Sequence, residues 1–95
     1  MKRKIYLAGK ITGNPNYRYM FAQAAFDLEA RGFSVLIPSV LPEGMSKADY
    51  MRVCFAMIDT ADEVIFLPGW RDSPGARLER SYCLYIDKPI RKEYP

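Results

Sequence analysis

The chain has no histidine and only two cysteines, Cys54 and Cys83, in 95 residues. The first absence excludes Ser-His and other histidine-based acid–base chemistry within one chain. Two widely separated cysteines form no CxxC pair, so no metal site is expected either. Long apolar runs are also missing, the longest being far short of the roughly 20 residues that span a bilayer, so no membrane segment is expected. The net charge of +3 has short clusters only at Lys2 to Lys4 and Arg91 to Lys92. That is not the basic stripe of a nucleic-acid binder, and a small anionic ligand suits it better than a polynucleotide. Repeats, linkers and low-complexity segments are absent. Both cysteines fall inside predicted helices, which reads as reduced thiols and a cytoplasmic location.

What is present is the composition of an ordinary folded domain, 49% hydrophobic and 26% charged. The length fits one domain over residues 1–95, because two cores would each be too small to offset their ordering entropy. A chain of this size buries roughly 60–65% of its unfolded surface, so its stability is modest and association into a homo-oligomer, dimer or higher, is the expectation.

Short β-forming runs alternate with helical stripes. Ile5 to Ala8 reads as a first strand bounded by Gly9, and Gly9-Lys10-Ile11-Thr12-Gly13 as the loop that leaves it. Asn14 and Pro15 read as the N-cap and first residue of a helix whose inner face carries Tyr17, Phe21, Ala24 and Leu28, with Gly32 as its left-handed stop. Phe33 to Ile37 is a second strand, ended by Pro38 and an irregular stretch to Gly44. Ser46 and Asp49 form a capping-box variant opening a second helix, with Tyr50, Cys54, Met57 and Ala61 on one face. Glu63 to Leu67 is a third strand, and a loop from Trp70 to Gly75 leads into a helix over about Ala76 to Ile86. A last short strand follows Pro89. This order predicts an α/β fold: a Rossmann-like or flavodoxin-like three-layer sandwich with a small four- to five-stranded parallel sheet. In such sheets ligands bind beyond the carboxyl ends of the strands where the strand order reverses, so the loops after strands one and three are the places to look.

Several residues there have the right chemistry. The glycines of Gly9 to Gly13 let backbone N–H groups approach an anion, with Lys10 and Thr12 adding a charge and a hydroxyl; a plain tight turn is the alternative. In Asp72-Ser73-Pro74-Gly75-Ala76-Arg77-Leu78-Glu79, Gly75 opens a helix and Glu79 lies about one turn inside it. Glu79 shares a face with Cys83 and Ile86, which puts a carboxylate on a stripe suited to burial. The helix N-terminus favours its ionised form and burial opposes it, and a desolvated carboxylate is what a nucleophile needs. The competing reading is a surface glutamate that complements the helix dipole or pairs with Arg77 or Arg80. Tyr6 either points its hydroxyl into the crevice or packs in the core, and Trp70 either stacks on a planar base or caps the core.

Taken as an ordered set, Lys4 to Gly13, Ala61 to Trp70 and Ser73 to Glu79 resemble the nucleoside 2-deoxyribosyltransferase-like superfamily. The likeness is greatest to its compact phage and bacterial group, DUF4406, and covers almost the whole chain. The resemblance implies that Glu79 attacks C1′ of a nucleoside or nucleoside 5′-monophosphate, expelling the base and leaving a glycosyl enzyme for water or another base to resolve. It implies that Tyr6 positions this carboxylate and that Ser73 helps bind the sugar or its 5′-phosphate; Asp72, a candidate second carboxylate, and Gly75 join the substrate-binding candidates from the same loop. Gly9 to Gly13 then correspond to the phosphate loop, Lys10 and Thr12 standing for its serine and arginine. Active members place an aspartate where this chain has Cys54, a weak hydrogen-bond donor. No cofactor is implied. Superfamily members often complete their pockets across subunits, which brings in Tyr94 and the C-terminal tail as further candidates. Three readings stand: a glycosidase or transferase is the first, and a catalytically weakened nucleotide-binding protein, a sensor or sequestering module that uses the same pocket, is the second. A purely structural interaction protein is the third.

Overall fold

Lys4–Ala8 forms the strand β1, and its side chains alternate between two cores. In the computed structural model, which describes residues 1–91, Ile5 and Leu7 join one buried cluster while Tyr6 and Ala8 join the other. Tyr94 lies outside the described residues. The helix α1, Tyr17–Ala30, covers the first face with Phe21, Ala24, Ala25 and Leu28. The helices α2, Lys47–Thr60, and α3, Pro74–Tyr85, cover the second with Cys54, Ile58 and Cys83. Phe55 of α2 stacks on Tyr82 of α3 with ring centroids 4.1 Å apart, locking those two helices side by side.

Three more strands complete the sheet: β2 at Ser34–Leu36, β3 at Glu63–Phe66 and β4 at Ile90–Arg91. All neighbours pair in parallel in the order β2-β1-β3-β4, with Tyr6 opposite Leu36 on one side and Val64 on the other. This is the expected small α/β sandwich, with four strands. From β1 the chain moves first to one side and then to the other, so the strand order reverses between β1 and β3, whose carboxyl ends meet at Ala8 and Phe66.

The amino end of the sheet is held by charge. Glu63, 5% exposed, accepts from Arg3 at 2.5 Å and from Arg91 at 2.7 and 3.1 Å, tying the approach to β1, β3 and β4 together. The two guanidiniums hold the Glu63 carboxyl below its ordinary range against the opposing effect of burial.

Most element limits differ from the sequence reading by a residue or two, and three of the differences bear on the site. The second strand is shorter, beginning at Ser34 and ending at Leu36. The helix α1 begins at Tyr17 because Asn14 is spent locally: its Oδ1 accepts from the Asn16 N–H at 3.1 Å, an Asx turn that delays the first helical bond to Met20 N–H donating to Asn16. The helix α3 runs from Pro74 to Tyr85 instead of from about Ala76 to Ile86, with Ser73 as its N-cap, and Trp70–Asp72 is one turn of 3-10 helix.

Candidate active site

Tyr6 sits in the central strand pair and faces the layer of α2 and α3. It is fully buried, and its hydroxyl donates to Glu79 Oε2 at 2.5 Å. Glu79 is 4% exposed, one of three buried polar or charged side chains among the described residues, and Cys83, one turn further along α3, is buried with it. The apolar stripe seen in the sequence is therefore real as far as Cys83, whereas Ile86 lies past the end of α3 and is exposed. Pairing with Arg77 is set aside, since that guanidinium donates to the Arg71 carbonyl at 2.6 Å.

Cys54, fully buried on α2, completes the cluster. Burial pushes the Glu79 carboxyl up to about 7, while hydrogen bonds from the Tyr6 hydroxyl and the Cys54 thiol pull it back. Burial raises the Tyr6 phenol well above its ordinary range, and the Glu79 charge adds to this. The Cys54 thiol is pushed up to about 11, again chiefly by burial, although hydrogen bonds with Tyr6 and Tyr50 work the other way. Cys54 is thus a neutral thiol near neutrality, able to donate a weak hydrogen bond but no nucleophile. The arrangement offers one buried carboxylate with an adjacent phenol, charged in part at neutral pH.

A hollow of about 330 Å³ opens beyond the carboxyl ends of β1 and β2. Ile11 and Thr12 of the glycine loop, Tyr17 at the start of α1, the segment from Pro38 to Lys47, and Tyr50 of α2 supply its walls. Glu43 at its rim accepts from the Tyr17 hydroxyl at 3.2 Å and pairs with Arg18 at 3.4 Å. Lys47, which also lines it, has no hydrogen bond or ion pair among the described residues, leaving a cation uncommitted.

The hollow receives fewer of the sequence candidates than expected. Thr12 lines it, but Glu79 does not, nor do Lys10 and the two loop glycines. Gly9 is needed for packing: a Cβ there would meet the Phe21 ring at 3.2 Å and Leu67 Cβ at 3.4 Å. Gly13 takes a left-handed φ of +81°, as a tight turn requires. Ser73 Oγ accepts from the Ala76 N–H at 3.1 Å and so caps α3. Gly75 lies under the Met51 methyl, which a Cβ would touch at 3.4 Å, and Asp72 is exposed. Trp70 packs on Phe66 at 5.3 Å, and the Arg71 and Arg80 guanidiniums lie 4.7 and 5.0 Å from its ring, so its aromatic surface is already engaged.

Tyr50 is the residue that sequence reasoning passes over. In the sequence it is only one member of a buried helical stripe, yet it lines the hollow and packs on the cluster that contains Tyr6 and Cys54. Its place four residues before Cys54 is the available signal, because side chains so spaced meet on one helix face.

Residues 3–92 match the family described as Domain of unknown function (DUF4406). The chain belongs to this family. The match spans all four strands and takes in Tyr6, Cys54, Tyr50 and Glu79, so the buried cluster and the hollow both lie within the DUF4406 domain. No curated protein matches the chain. Among the described residues no helix is long and apolar enough to cross a membrane, and no group of three or more acidic or cysteine side chains is placed to hold a metal ion.

Proposed function

We propose that this DUF4406 protein cleaves or transfers the N-glycosidic bond of a nucleoside or nucleoside 5′-monophosphate, with Glu79 as nucleophile. The observation that carries this reading is the buried Tyr6–Glu79 hydrogen bond of 2.5 Å beside the point where the strand order reverses. A carboxylate taken out of water has lost the hydration that would quench it, and it stabilises the positive charge that develops on the sugar as the bond breaks. Tyr6 holds Oε2, which leaves Oε1 to form the bond to the anomeric carbon. The base departs with the electron pair of the C–N bond and takes a proton from solvent. Water or a second base then attacks the same carbon and releases the Glu79 carboxylate. The likeness to nucleoside 2-deoxyribosyltransferases supports the assignment of Glu79 and Tyr6, and the uncommitted Lys47 and Thr12 suit a phosphate-bearing substrate. Completion of the site by a second copy of the chain belongs to the same proposal.

The test is turnover on a panel of nucleosides and nucleoside 5′-monophosphates, followed by release of free base. Activity lost in Glu79→Ala and Glu79→Gln is the expected result, and no free base at high protein concentration refutes the reading. One observation favours a second reading, a nucleotide-binding module with weakened chemistry: Glu79 is buried and does not line the hollow. The superfamily resemblance, which implies an aspartate at the position of Cys54 in active members, points the same way. Calorimetric affinity without product, unchanged in Glu79→Gln, supports the binder. Activity gained in a folded Cys54→Asp protein supports the enzyme.

A further inference from the structure

The hollow and the buried carboxylate are separate, and two side chains, Leu41 and Tyr50, belong to both, of which Tyr50 alone brings a polar group. Tyr50 lines the hollow together with Thr12, Tyr17 and Lys47. The same ring packs against the cluster of Tyr6, Cys54 and Cys83. It is half-buried, whereas Cys54 one helical turn further along α2 is fully buried, so exposure falls along this face from the hollow inward. The phenol of Tyr50 is raised by burial first, then by the charges of Cys54 and Glu79, which is the electrostatic mark of that closeness.

We propose that Tyr50 is the positioning residue that closes the hollow off from the buried cluster and admits a ligand to Glu79 when its ring swings aside. The inference rests on the reading of Glu79 as the reacting carboxylate, yet it makes a claim about the fold that can be checked without turnover. With Tyr50 in place, a ligand in the hollow meets an aromatic wall and a hydroxyl in place of the carboxylate. With the ring rotated about χ1, the hollow and the cluster become one cavity, and the bond to be broken lies at the former position of the phenol. Met51, the next residue of α2, also packs on the cluster but does not line the hollow, and its methyl lies over Gly75 of α3. Met51 is therefore the control.

The test uses Cys54 as a reporter, since the fully buried thiol is shielded in the closed arrangement. The full chain is treated with methyl methanethiosulfonate, a small neutral thiol reagent, and modification of each cysteine is followed by peptide mass spectrometry, with the equally buried Cys83 as internal reference. Tyr50→Ala is expected to speed modification of Cys54 by about tenfold or more without a matching change at Cys83, as removal of one barrier opens one region only. Tyr50→Phe, which keeps the ring, should leave Cys54 protected, and so should Met51→Ala. Tyr50→Leu replaces the alanine variant if that protein does not fold. A wild-type rate at Cys54 in Tyr50→Ala, or equal opening by Met51→Ala, overturns the proposal. An increase shared equally by Cys83 overturns it too, because the role of Tyr50 is then general support of the fold. If Cys54 opens as expected and the nucleotide panel yields no free base, Tyr50 keeps this role and the glycosidase reading falls. If free base is released while Cys54 stays closed in Tyr50→Ala, the glycosidase reading stands and the gate at Tyr50 is refuted.

Discussion

Glu79→Gln should make the protein more stable, and increasingly so as pH rises. The Glu79 carboxyl goes from an ordinary 4.5 when unfolded to about 7 when folded, because burial disfavours its charge. Between those two values the folded state holds a proton that the unfolded state has released, so stability falls as pH increases. Its contribution is fully present below 4.5 and lost as pH climbs through about 7, a total of about 3 kcal/mol. Glutamine has the same shape, still offers an oxygen to the Tyr6 hydroxyl and does not ionise. Urea unfolding followed by circular dichroism at pH 5, 6, 7 and 8 provides the measurement. The two proteins should lie close at the acid end, and the variant should pull ahead until the gap levels off above pH 7. In a domain of this length a gap of about 3 kcal/mol corresponds to well over 10 °C in Tm. Parallel stability curves across this range would refute the claim that a desolvated, ionisable carboxyl occupies position 79.

Other variants test other parts of the fold. Tyr6→Phe removes a hydrogen bond that holds the Glu79 carboxyl down, so that group should titrate higher, visible as an upward move in the carboxyl titration by NMR, and stability should drop by about 1–3 kcal/mol. Glu63→Gln breaks the clamp between Arg3 and Arg91; with both partners about half exposed, a loss of roughly 1–3 kcal/mol is expected in denaturant melts. Because the folded Glu63 carboxyl lies below 4.5, its contribution is present above that pH and disappears as acid is added, so the melts of wild type and variant should converge toward low pH. Gly9→Ala drives a methyl into Phe21 and Leu67 and should cost about 1–3 kcal/mol, with an equal loss in Gly9→Ser arguing for packing and against a role of Gly9 in phosphate binding.

The parts of the fold that depend on periodicity were legible. The spacing of Glu79 and Cys83 places the carboxylate inward, and both are buried on α3. Periodicity leaves Tyr6 open between crevice and core, and its meeting with Glu79 is what the family resemblance implies; the structure puts the two on one face of the sheet. Periodicity assigns a side chain to a layer, however, and does not say which end of the layer opens to solvent. For that reason Tyr50 reads as one more core residue in the sequence, and Trp70, next to the expected crevice, reads as free when Arg71 and Arg80 already occupy its ring. The start of α1 was missed for a local reason: Asn14 can cap a helix or close an Asx turn with the same oxygen, and only its neighbours decide.

Tyr6 and Glu79 are 73 residues apart, on the first strand and the last helix. Their meeting requires nearly the whole chain to be assembled, so the shift in acidity is a property of the completed molecule that no fragment possesses. With no histidine in the sequence, proton uptake on refolding near pH 6 is assigned chiefly to this one carboxyl. An unbuffered refolding solution carrying a pH indicator should therefore turn more alkaline as the native protein appears, timing the closure of the site.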